Sequence, residues 1–155
     1  MKLFCGVIAL ACVPAALADG NMPYPKENVA DFVGKRLDVT TLPPQIRPKP
    51  EKGKKTFGDY GYATQQLDAK EALVETTPGG TQITIRILEQ KSFGLYVCVQ
   101  GPDKNEASHQ IQRVYLLRLK NANGLLKGRE SWKEFDSCPA TGVDPASLAD
   151  SSGGG

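Results

Sequence analysis

Polar and apolar positions alternate from residue 81 to residue 89, with Ile83, Ile85 and Ile87 on one side and Thr84 and Arg86 on the other. That period of two predicts a half-buried β-strand. The pattern resumes after a turn at Lys91 and Ser92. Phe93, Leu95, Val97 and Val99 then share one face, and Tyr96 and Cys98 the other. Over residues 111–120, Tyr115, Leu117 and Leu119 oppose Val114 and Leu116. Weaker alternation over 57–63, 69–76 and 125–135 predicts further strands. Turn signals at Pro78-Gly79-Gly80 and at residues 121–124 separate them. The last of these strands contains Trp132, the chain's single tryptophan, which is expected to pack in the core or under the sheet edge.

The period differs near the start. Val29, Phe32, Val33 and Leu37 recur at helical spacing behind a possible cap, Asn28. Gly34 weakens the interior of this helix, and Lys35 and Arg36 suit its C-terminal dipole. So short a helix needs an apolar surface to dock on. Residues 40–56 carry Pro43, Pro44, Pro48 and Pro50, which exclude helix and central strand. They read as an extended Pro/Lys-rich crossing. Consecutive strands with short turns imply an antiparallel meander. The predicted fold class is therefore α+β: a single curled antiparallel sheet of five or six strands, one short N-terminal helix packed on it, and one disulfide.

The 155 residues suit one domain, and 40% hydrophobic with 23% charged residues is ordinary globular usage. Residues 1–18 read as a signal peptide: Lys2, then the apolar run of residues 3–13, then Ala16-Leu17-Ala18 before the cut. That run is too short to cross a bilayer, which takes about 20 apolar residues. Cys12 offers a rival lipoprotein site. The domain is then expected over residues 19–142, followed by a small polar tail, 143–155, expected to be disordered. Removing the leader leaves Cys98 and Cys138. In an oxidising compartment such a pair forms a disulfide, and the absence of C-x-x-C spacing argues against a redox-active dithiol.

Charge and motifs narrow the chemistry. The formal charge of +2 gives no whole-chain grip on nucleic acid. One histidine, His109, supplies no evident triad or zinc site, and no P-loop, G-x-S-x-G or H-E-x-x-H motif occurs. No metal and no cofactor is expected. Asp59, beside Tyr60 and Tyr62, is the first residue to test for a carboxylate-dependent hydrolase, although no second acid pairs with it from sequence.

Two surfaces remain as binding candidates. Asp103, Lys104, Glu106 and His109 lie on a polar loop longer than a hairpin requires. Arg47, Lys49, Lys54 and Lys55 make the Pro-rich crossing a basic arm. The expected function is a small periplasmic or secreted binding protein without catalysis, of the inhibitor, toxin-neutralising or envelope-accessory kind. Its expected partner is a protein. A small hydrolase and a lipid-anchored envelope component are the alternatives.

Overall fold

The computed structural model describes residues 24–76, 80–103, 109–121 and 123–139. The signal peptide, Cys12, the tail, Lys104, Glu106 and the centre of the Pro78 turn lie outside these residues. Six antiparallel strands form one sheet in sequence order: β1 (Ala63–Gln66), β2 (Glu71–Glu75), β3 (Gln82–Lys91), β4 (Gly94–Pro102), β5 (Gln110–Leu119) and β6 (Leu126–Glu130). One helix, α1 (Val29–Arg36), precedes them.

The alternation fixes the two faces. Ile83, Ile85, Ile87, Leu95, Val97, Val99, Tyr115 and Leu117 are all buried in the main core on the inner face. Helix α1 covers that face through Val29, Ala30 and Val33. Gly34 has a positive reason to be glycine: a Cβ there would stand 2.6 Å from Thr64 Cγ2 of β1. The helix approaches the sheet too closely for a side chain. Asn28 makes no side-chain cap and adopts a left-handed conformation, φ 52°. The carboxamide of Gln66 on β1 does the capping instead, accepting the Asp31 N–H at 2.9 Å.

The Pro-rich stretch is more than a solvated crossing. Leu42 and Ile46 are buried in the main core, and a turn closes over Pro43–Ile46. Beside it, residues 37–41 protect the free edge of β6. The Leu126 carbonyl accepts the Asp38 N–H at 2.8 Å, and the Gly128 N–H donates to Thr41 Oγ1 at 3.0 Å. An exposed sheet edge is thereby closed to edge-to-edge pairing.

Three sequence expectations fail for local reasons. Residues 57–63 form no strand along their length, because Gly58–Tyr60 winds into a 3₁₀ turn ending at Gly61, φ 80°. Phe57 alone of that run is fully buried. Phe93 sits in the β3–β4 turn and is half-exposed instead of sharing the core face with Leu95. The last strand stops at Glu130, so Trp132 lies beyond the sheet and is 87% exposed, not in the core.

The outer face has a smaller cluster of Cys98, Val114 and Cys138, flanked by Leu88, Tyr96 and Phe135. A bulge in β3 after Ile87 turns Leu88 towards it. Cys98 and Cys138 are bonded, with Cα atoms 5.8 Å apart. The bond pins residues 131–139 across the outer face as a strap.

Candidate functional site

The strap is held at each stage of its course. The Ser131 N–H donates to the Val114 carbonyl at 2.8 Å, continuing the β5–β6 ladder. The Lys133 ammonium pairs with Glu89 and lies over the rings of Tyr96, at 4.7 Å, and Phe135, at 4.9 Å. Hydrogen bonds from Lys133 and Lys91 hold the Glu89 carboxyl below the ordinary carboxylate range. Further along, Arg86 donates to the Ser137 carbonyl at 3.1 Å and Gln112 to the Pro139 carbonyl at 3.0 Å. Trp132 projects from this anchored segment into solvent.

Between the strap and the β5–β6 turn the outer face is open. Its floor there is Leu116 and Tyr96, its far end is Lys120, and Trp132 stands at its rim. The hollow measures about 510 Å³, within the usual range for ligand pockets of about 300–1,000 Å³. The period of two brings Arg118 of β5 to this face, and Lys120, just past the end of β5, lines it too. The β5–β6 register sets Lys127 opposite Arg118, and Arg129 opposite Leu116. All four cations are exposed. None has a carboxylate partner among the described residues. Arg118 leans towards the Phe93 ring, 5.8 Å from its centroid. The acid at the edge, Glu130, is engaged by Arg113 at 3.2 Å.

A like-charge pair directly across an antiparallel ladder, as Arg118 and Lys127 are, destabilises a sheet by roughly 0.2–1 kcal/mol. No carboxylate among the described residues pairs with either of them. The arrangement is a cationic shelf with an apolar floor and an indole at its edge. Such a surface can bind anions and order an aromatic contact.

Those of the residues singled out from sequence that are described lie elsewhere and do not converge. Asp103 and His109 close the base of the β4–β5 loop through an Asp103 N–H to His109 carbonyl bond of 2.9 Å. That loop is at the opposite end of β5 from Lys120. The basic arm belongs to the segment whose Leu42 and Ile46 pack into the inner-face core. Arg47 donates to the Thr40 carbonyl at 2.9 Å, and Lys54 pairs with Glu51 at 2.8 Å while lying over the Tyr60 ring. Lys49 and Lys55 are exposed. Asp59 has a structural task. Its carboxylate accepts the N–H groups of Lys55, at 2.9 Å, and Thr56, at 2.8 Å. Those bonds hold its carboxyl below the ordinary range, the reverse of what a general acid needs.

The shelf was readable in part. Continuing the even-numbered face of residues 114–116 adds Arg118 and Lys120, and folding the chain back at Asn121 adds Lys127 and Arg129. Among the described residues no group of acids, cysteines and histidine could hold a metal ion, and no helix is long and apolar enough to cross a membrane. No family model, no curated protein and no solved structure matches the chain.

Proposed function

We propose that the chain is a small exported binding protein without catalytic activity, and that its ligand surface is the shelf on β5 and β6 with Trp132 at the rim. One observation carries the reading. Four exposed cations without carboxylate partners among the described residues line a hollow edged by a tryptophan that is 87% exposed, although burying that indole would favour folding. Tryptophan and arginine are the residues most enriched where a few contacts dominate binding energy. The disulfide agrees with maturation in an oxidising compartment. It also holds the strap that presents Trp132. The partner is a protein of the envelope or extracellular space with an acidic surface.

Affinity capture from envelope and culture-medium fractions tests this reading, with wild type, Trp132→Ala and Arg129→Glu as baits. A defined protein retained by wild type and lost from both variants is the expected result. Equal recovery on all three baits would remove the shelf from the function.

A further inference from the structure

We propose that the shelf recognises an extended acidic segment of its partner, with carboxylates at alternate positions. The inference rests on the reading of the shelf as the ligand surface and adds the chemistry and conformation of what binds there.

The argument begins with spacing. Lys127 and Arg129 are two residues apart on β6, and Arg118 of β5 is followed two residues on by Lys120, just past the end of that strand. A strand rises about 3.4 Å per residue, so each pair repeats at about 6.8 Å. An extended peptide presents every second side chain to the same side at the same interval. Its alternate carboxylates therefore stay in step with either row of cations. Arg118 and Arg129 can each take a carboxylate in a two-bond fork, and the lysines serve as point charges. An apolar residue in the same phase meets Leu116 and the Trp132 indole.

The occupant approaches the face, not the edge, because residues 37–41 already occupy the free side of β6. The patch is also short. Beyond Trp132 the chain turns acidic at Glu134 and Asp136, both exposed, and Glu130 lies on the near side. A long polyanion of uniform charge running past the indole meets these carboxylates. A short segment that changes from acidic to apolar does not.

The test uses the full chain, with its single tryptophan, Trp132, as fluorescence reporter. The probes are a ten-residue peptide alternating Glu and Val, a peptide of the same composition with its glutamates in one block, a single-stranded oligothymidylate and a heparin fragment. The alternating peptide is expected to bind at least tenfold more tightly than the block peptide, the oligothymidylate or heparin. Lys127→Glu is expected to weaken it at least tenfold while raising the thermal midpoint by about 1–4 °C, since a cross-strand ion pair with Arg118 replaces a repulsion. Arg129→Gln, without charge reversal, is expected to weaken binding with no change in midpoint. Equal affinity for the two peptides, or tighter binding of either polyanion, overturns the proposal. If no peptide binds while capture of a partner still depends on Trp132 and Arg129, the segment is wrong and the surface stands. If capture is also indifferent to them, both readings fall.

Discussion

Replacing Cys98 and Cys138 together by alanine removes the covalent tie between mid-β4 and the end of the strap. The two residues are 40 apart in sequence and their side chains are buried, at 3% and 2% exposure. Closing a ring of that size restricts the unfolded chain by about 4 kcal/mol in the loop-entropy estimate. Domains have only about 5–15 kcal/mol of stability in all, so the variant loses a large fraction of it. The remaining polar contacts past Trp132 lie near the surface: Lys133 of the Lys133–Glu89 pair is exposed and Glu89 half-buried, and the bonds to the Ser137 and Pro139 carbonyls are exposed. They contribute little once the tether is gone. Urea unfolding of both proteins, followed by far-ultraviolet circular dichroism, is expected to show a loss of about 3–5 kcal/mol, with a fall in thermal midpoint of roughly 15 °C. The hydrogen-exchange protection of residues 131–139 should collapse while that of β3 and β4 persists in the folded state. A loss below about 1 kcal/mol, or a strap that stays protected, would refute the assignment of the bond as the principal anchor.

Other outcomes follow from single contacts. Tyr115 is buried with its hydroxyl lacking a hydrogen-bond partner among the described residues, so Tyr115→Phe is expected to raise stability by about 1 kcal/mol in urea titration. Gly34→Ala normally favours a helix, but here the added Cβ meets Thr64 Cγ2; a loss of about 1–3 kcal/mol is expected, reduced in the double variant with Thr64→Ala. Asp59→Asn is expected to lower the thermal midpoint at pH 7. Because the folded carboxyl is depressed, its stabilisation is present above the unfolded value and fades as pH falls through the folded one, so the two proteins should converge in acid. Trp132→Ala should leave unfolding within about 0.5 kcal/mol of wild type, given the exposure of the indole.

The inner face was legible because it obeys one rule: Ile83, Ile85, Ile87, Leu95, Val97 and Val99 alternate without interruption and are all buried. The disulfide was legible because, once the predicted leader is set aside, Cys98 and Cys138 leave one pairing. The errors share a cause. Phe57, Leu42 and Ile46 are isolated apolar residues amid Gly, Pro and Lys, and no period announces that they plug the core. Their burial is decided by where the segment lands on β3 and β4, which is tertiary information. Trp132 misled in the opposite direction. Hydrophobicity alone assigns an indole to the interior, yet here the strap spends its anchoring on Lys133, Phe135 and Cys138 and leaves the indole outside.

The shelf was hidden by the same summation that made the chain look electrically neutral. A formal charge of +2 spread over 155 residues conceals a face on which neighbouring strands carry four cations and acids engaged elsewhere. Glu71 is paired with Arg86, Glu89 with Lys91 and Lys133, Asp31 with Lys35, and Glu51 with Lys54. These acids are engaged by local pairs elsewhere, and the four cations where β5 meets β6 have no carboxylate partner among the described residues. Net charge describes solubility and distant steering. Recognition depends on which charges the fold leaves unspent, and that follows from strand register: one residue of slip between β5 and β6 would set Arg118 against another partner and turn the lysine and arginine of β6 to the inner face. The hairpin register, more than the composition, therefore makes this side of the sheet a candidate anion site.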